Sequence, residues 1–289
     1  MSKVLFYLIL KPLSLVPYWV LYGISNFLTF VFYYLVSYRK KVVVQNLKNS
    51  FPNKSEKEIN EICKKFYSHL CDLIVESVKL FSISNEQILK RFKVNNPEIL
   101  QPYFDRGQSL IIVGGHYNNW EMLAAGIDQQ VPHDTVGLYS KLSNAFFDDK
   151  MKSSRSAFGL RMVTSKDSFV YFKEKHDIPR MTIFGADQSP TYSKSVYWTT
   201  FLNQETAVAL GTERFAKKYD MPVIYATINK EKRGHFSLDI SILCESPQHT
   251  KEGEITTMHT RKLEEQILVQ PEYWLWTHKR WKRKRKENE

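Results

Sequence analysis

The sequence predicts an α/β fold: a single domain with a mixed, largely parallel central sheet flanked by helices, preceded by an N-terminal hydrophobic membrane helix. Three observations carry this. From residue 109 onward, short apolar runs such as Ser109 to Val113 and Met181 to Phe184 alternate with stretches of helical period, the pattern of strands spaced by helices. Tyr18 to Val36 is 19 residues without a charge, which at about 1.5 Å per residue approaches the thickness of a bilayer core. The 289 residues are 43% hydrophobic and 25% charged, a globular balance that excludes a disordered or collagen-like chain and a polytopic transporter.

The apolar N-terminal segment is aromatic at both ends and is followed by Arg39, Lys40 and Lys41. It is too long for a signal peptide, and the basic cluster sets the remaining chain on the cytoplasmic side if the segment spans. The alternative is a buried helix pair broken at Pro12 and Pro17. This divides the chain into an anchoring segment 1–38, a main domain 39–281 and a charged, predominantly basic tail 282–289. Phe51-Pro52-Asn53 reads as a turn, and Ser55 with Glu58 forms a capping box that opens a helix to about Phe81. Its apolar positions Ile59, Ile62, Phe66, Leu70, Leu73, Ile74 and Val78 recur at three- and four-residue steps and are expected to make one buried face. Beyond it the pattern predicts strands at 109–113, 135–139, 181–184, 196–201, 223–228 and 236–243. Helices are predicted at 119–130, 145–158, 166–175, 206–219 and 254–269.

Cys63, Cys71 and Cys244 are too few for a disulfide framework and lack zinc-like spacing. Charge is less ordinary: 41 Lys and Arg against 30 Asp and Glu leave +11, and seven basic residues crowd Lys279 to Lys286. Such a surplus suits an anionic membrane surface or nucleic acid. The apolar N-terminus favours the membrane.

The segment richest in chemistry is Gly114-Gly115-His116-Tyr117-Asn118-Asn119-Trp120-Glu121, at the exit of a predicted strand. His116 and Glu121 are five positions apart, so they cannot share a face of one helix. A working pair needs His116 in the loop and Glu121 in the first helical turn. There the imidazole would take a proton from a hydroxyl while the carboxylate fixed its tautomer. The competing structural role makes Asn118 the N-cap and Glu121 the far half of a capping box.

This Gly-x-His-x4-Glu element, with Trp120 before the glutamate, resembles the lauroyl/myristoyl (lipid A biosynthesis) acyltransferases, a branch of the lysophospholipid acyltransferase superfamily. Three further blocks are similar in the same order: Arg39-Lys40-Lys41 with Asn46-Leu47 and Phe51-Pro52, then Gly185-Ala186-Asp187-Gln188-Ser189-Pro190, then Pro271 to Lys282 (PEYWLWTHKRWK). The resemblance implies transfer of a fatty acyl chain from an acyl carrier protein or coenzyme A thioester to a hydroxyl of a membrane lipid, a lipid A precursor first of all. His116 and Glu121 carry over as the catalytic pair, with Asp187 and Gln188 helping to position substrate. Arg155 falls about where the family places an active-site arginine and would clamp phosphate or a developing oxyanion. Asn118 and Asn203 depart from the family, which favours glycine at both places.

No serine or cysteine beside the base suggests a covalent intermediate, and no metal or redox cofactor is implied. The partners expected are the thioester donor, the lipid acceptor and the anionic surface of a bacterial inner membrane, with the catalytic domain on its cytoplasmic side and no nucleic acid. A lysophospholipid, aminolipid or glycolipid acceptor fits the same motifs. A membrane-tethered basic lipid- or nucleic-acid-binding protein is the non-enzymatic alternative, and it leaves the His116 block unexplained. Trp274, Trp276 and Trp281 read either as an interfacial belt or as buried aromatics.

Overall fold

The computed structural model describes residues 2–192 and 195–285. Among them the strands are β1 (Phe92–Val94), β2 (Leu110–Gly114), β3 (Asp134–Tyr139), β4 (Arg161–Thr164), β5 (Arg180–Gly185), β6 (Val196–Phe201), β7 (Gln204–Ala209), β8 (Val223–Lys232) and β9 (His235–Cys244). Seven form one sheet in the order β1-β9-β8-β2-β5-β3-β4. Every neighbouring pair is parallel except the β8–β9 hairpin, so the mixed, largely parallel sheet is as the sequence predicts. β2 lies in the middle, and its Leu110, Ile111, Ile112 and Val113 are fully buried, as expected of a parallel strand covered on both faces.

The long helix α3 (Glu56–Lys79) opens with the expected capping box: Glu58 N–H donates to Ser55 Oγ, and Ser55 N–H donates to the Glu58 carboxylate. Before it lie α1 (Tyr18–Phe30) and α2 (Lys40–Ser50). The N-terminal membrane helix is a correction: among the described residues no single helix is long and apolar enough to cross a membrane. After α1 the chain continues as a widened turn over Val31–Leu35, and this helical stretch turns by 83° into α2. Ser37 and Arg39 take positive φ at the corner. One side of α1 is docked on α3, with Leu21 and Ser25 buried. Ser25 Oγ donates to Asp72 at 2.6 Å and Tyr22 Oη to Glu76 at 3.0 Å. Those side chains need polar partners that hydrocarbon lacks, whereas Trp19, Phe27 and Phe30 on the other side are exposed.

Local readings also change, and the predicted helix 166–175 shrinks to Ser168–Tyr171. Thr206 does not start a helix: β6 and β7 form a separate antiparallel hairpin, and only Gly211–Tyr219 is helical. Its two-residue turn, Leu202–Asn203, has positive φ at both positions, the geometry that suits the twist of a tight hairpin. The short parallel edge strands β1 and β4 have no alternation strong enough to show in the sequence.

Trp274 and Trp276 are buried in the main core, which overturns the interfacial reading for both. The fourth block is instead a strap tied to the first. Asn46 Nδ2 donates to the carbonyls of Trp276 and His278 at 3.0 Å each, and Arg39 Nη1 to that of Thr277 at 3.1 Å.

Candidate active site

β2 and β5 are adjacent and parallel, in a register that pairs Gly114 with Gly185. Each strand carries its polar residue two positions beyond that glycine, His116 on one and Asp187 on the other. The ladder extends past the strand ends, because Ala186 N–H donates to Gly114 O at 3.0 Å. Side chains two residues beyond paired positions therefore emerge side by side at the carboxyl end of the sheet, where ligands of open α/β sheets bind. A Cβ on Gly185 would sit 3.2 Å from His116 Cε1, so the glycine admits the imidazole. A Cβ on Gly115 would sit closer still, 2.7 Å from Leu263 Cδ2 of the helix α8 (Glu254–Val269).

Asp187 is the partner of His116. Its Oδ1 lies 2.6 Å from Nδ1, and its Oδ2 accepts from the His116 backbone N–H at 2.9 Å and from Trp274 Nε1–H at 2.8 Å. With three donors around a buried carboxylate, the Nδ1 proton belongs between His116 and Asp187. Nε2 is then left as the basic nitrogen, and Gln188 Nε2–H reaches it at 3.3 Å. Burial pulls the His116 pKa down, but the charge and hydrogen bond of Asp187, aided by Glu121, outweigh it and leave it raised. Burial likewise opposes ionisation of Asp187, yet the His116 contacts and the Trp274 bond hold its carboxyl well below the usual range.

Glu121 does something else. The sequence assigns it the bond that fixes the His116 tautomer; the structure gives that bond to Asp187. Glu121 Oε2 and Oε1 accept from Arg155 Nε at 2.8 Å and Nη2 at 2.6 Å, and Oε1 also accepts from Trp120 Nε1–H at 3.1 Å. The pair joins the first turn of α5 (Trp120–Gly126) to the last residue of α6 (Ala145–Arg155). Trp120 stands between the two pairs, its ring edge-on to His116 with centroids 5.0 Å apart. The N-cap of α5 is Asn119, one position later than the sequence suggests: its Oδ1 accepts from Met122 N–H at 2.9 Å. Glu121 lies in the first turn without closing a capping box.

Three contributors escaped sequence reasoning. Trp274 holds Asp187, and a tryptophan in a tryptophan-rich block carries no mark of that. Glu76 of α3 accepts from Asn119 Nδ2 at 2.6 Å and from Tyr22, which ties the α5 N-terminus to the N-terminal helix. Burial pushes its pKa up to about 7. His278 Nε2 accepts from Ser189 N–H at 2.9 Å, so the loop after Asp187 is anchored to the closing strap. The repeated strand-Gly-x-polar pattern of Gly114/His116 and Gly185/Asp187 was the one signal that could have paired the first two residues.

The site thus brings together His116, Asp187 and Gln188 directly, and Glu121 with Arg155 beside them. The chain is 22% identical over 279 residues to the lipid A biosynthesis lauroyltransferase of Escherichia coli strain K12, a match that covers 92% of this chain and 86% of that protein. Residues 2–283 match the family described as bacterial lipid A biosynthesis acyltransferase. With a match that runs from the first helix through both charged pairs to the closing strap, the chain belongs to the bacterial lipid A biosynthesis acyltransferase family.

Proposed function

We propose that the protein transfers a fatty acyl chain from an acyl carrier protein or coenzyme A thioester to a hydroxyl of a lipid A precursor, at the cytoplasmic face of a bacterial inner membrane. The observation that carries the chemistry is the 2.6 Å contact of His116 Nδ1 with Asp187, since it leaves Nε2 free of its proton and pointed at Gln188. The acceptor hydroxyl takes the place of the Gln188 amide at Nε2. As its oxygen attacks the thioester carbonyl, the hydroxyl proton passes to Nε2, and the imidazolium forms against the Asp187 charge. The C–O bond forms, the C–S bond breaks, and the proton leaves with the thiol. Donor and acceptor are bound together and no acyl-enzyme forms.

Arg155, locked by Glu121, supplies a guanidinium with donors to spare for a phosphate or for the carbonyl oxygen as it gains charge. Glu121 therefore acts on the reaction through Arg155 and through its field on His116. Membrane attachment draws support from the apolar side of the N-terminal helices, where Leu8, Leu15, Trp19, Phe27 and Leu35 are each more than half exposed. Such a face fits a helix lying in the interface plane.

The test is mass spectrometry of total lipids from cells that carry the wild-type protein, His116→Ala, or neither. Wild type is expected to produce a lipid A species with one more acyl chain, and His116→Ala to leave the under-acylated precursor. An unchanged lipid A fraction beside an altered phospholipid or aminolipid fraction would move the acceptor. Full acylation by His116→Ala would remove the histidine from the mechanism.

A further inference from the structure

Asp187 also borders a cavity of about 10 Å³ lined by Gly114, Asp187, Phe201, His259, Thr260 and Arg280, among others. That is room for about one water molecule. Two of its walls are polar, deeply buried and incompletely bonded. Arg280 is 2% exposed and His259 4%. Neither Arg280 Nε–H nor His259 Nε2 has a hydrogen-bonding partner among the described residues. Arg280 Nη2 donates to Ala207 O of β7 at 2.8 Å, but no carboxylate among the described residues lies within ion-pair distance of the guanidinium.

A buried guanidinium without a direct counterion is costly, and an orphaned N–H adds to that cost. The nearest compensation is the Asp187 charge across the cavity. We infer that Arg280 is a positioning residue that holds the Asp187 carboxylate ionised and in place, and that it acts across a buried water bonded to Arg280 Nε–H and His259 Nε2. The water accepts from Arg280 Nε–H and donates to His259 Nε2. Its second proton is available to Asp187, whose oxygens otherwise accept, among the described residues, from His116 and Trp274. An anion is a poor occupant because Asp187 shares the cavity. His259 is held neutral, first by burial and then by the Arg280 charge, which together bring its pKa down to about 4, so its Nε2 remains an acceptor.

This inference rests on the reading of His116 and Asp187 as the reacting pair, and its test has arms that need no turnover. In a crystal structure of the full chain resolving waters, one ordered water is expected within hydrogen-bond distance of both atoms. A dry cavity, or Arg280 in direct contact with Asp187, overturns the bridge. In ¹⁵N-histidine spectra of the intact protein, His259 should stay neutral with a hydrogen-bonded Nε2 from about pH 5 to 9; protonation near neutrality overturns it. Arg280→Gln is then read by the pH dependence of kcat/KM. The charges acting on His116 are those of Asp187, Glu121 and Arg155, with His278 also near it. Loss of the Arg280 charge leaves Asp187 less compensated and favours the imidazolium, so the acid limb should move up by about one pH unit. Arg280→Lys should restore the limb and not the full kcat, because an ammonium cannot serve Ala207 and the water as a planar fork does. A limb that stays put while only the melting temperature falls would make Arg280 a packing residue and overturn the positioning role. If Arg280→Gln does not fold, the crystallographic and spectroscopic arms still decide. Absence of acyl transfer by wild type would count against the proposed function and leave those two arms standing.

Discussion

Two charged pairs flank Trp120, and they are built in opposite ways. His116 and Asp187 sit at the ends of two adjacent core strands, 71 residues apart in sequence, with the carboxylate 3% exposed and three donors fixing it. Glu121 and Arg155 join two helix termini instead, although their exposures, 7% for the carboxylate and 23% for the guanidinium, are close to those of the first pair. The first pair contains an imidazole, which can take up and release a proton; the second holds a guanidinium, which keeps its charge and offers a planar fork of donors. One short motif thus delivers its histidine to the proton-transfer pair and its glutamate to the electrostatic pair.

Exchanging charge for neutrality in each pair tests this division. Asp187→Asn should have the largest effect, a loss of roughly a thousandfold in kcat. It should also carry the acid limb of kcat/KM below 6.5, the ordinary histidine value, because burial then acts on His116 without the opposing carboxylate. A limb that stays above 6.5 would show that Glu121, not Asp187, holds the imidazolium. Arg155→Ala should cost roughly a hundredfold in turnover without moving the limb downward, since the guanidinium disfavours the imidazolium. Arg155→Lys should rescue it only in part, for lack of the two-pronged contact with Glu121. A limb displaced by a full unit in Arg155→Ala would merge the two pairs into one proton-sharing unit.

Trp274→Phe removes one hydrogen bond to the Asp187 charge and keeps the ring. About 1.5 kcal/mol for such a bond predicts roughly a tenfold lower kcat at unchanged KM; a changed KM would place Trp274 in substrate binding instead. The smallest effect is on stability. A raised His116 pKa means that the stabilisation from its ion pair is fully present below the unfolded value of 6.5 and is lost as pH rises through the folded value. The melting temperature should therefore decline gently where activity climbs, and Asp187→Asn should flatten that slope. Glu76, also raised, adds a decline of the same sign, so the His116 share is the difference between wild type and Asp187→Asn, and no difference would show that Asp187 does not hold the imidazolium.

Much of the frame was legible because its signals are local. The Ser55 and Glu58 capping box, the three-to-four-residue period of the long helix and the apolar SLIIV strand ending in two glycines each depend on neighbours within one or two turns. The resemblance singled out His116, Glu121, Arg155, Asp187 and Gln188, and in the structure they meet as two groups, His116 with Asp187 and Gln188, and Glu121 with Arg155. The departures Asn118 and Asn203 gain a physical account too. Both have positive φ, 54° and 62°, where glycine is the default and asparagine the tolerated substitute. Each spends its side chain on a tie the glycine could not make, Asn118 Nδ2 to Ile228 O at 2.7 Å and Asn203 Nδ2 to Ser50 O at 2.9 Å.

By itself, then, the sequence determined the strand-turn-helix that presents His116, the α/β alternation and the apolar N-terminal helix. Only the tertiary structure decided which carboxylate meets the imidazole and whether that apolar helix stands alone. Partner choice followed from sheet order, which sets β5 beside β2 with Gly185 opposite Gly114, and parallel neighbours are joined by crossovers that leave no local trace of who pairs with whom. The fate of the N-terminal helix followed from Asp72 and Glu76, which lie nearly fifty residues or more downstream of the Ser25 and Tyr22 side chains they bind. Hydropathy sums a window of neighbours in the chain, whereas these hydrogen bonds exist only once two distant helices pack.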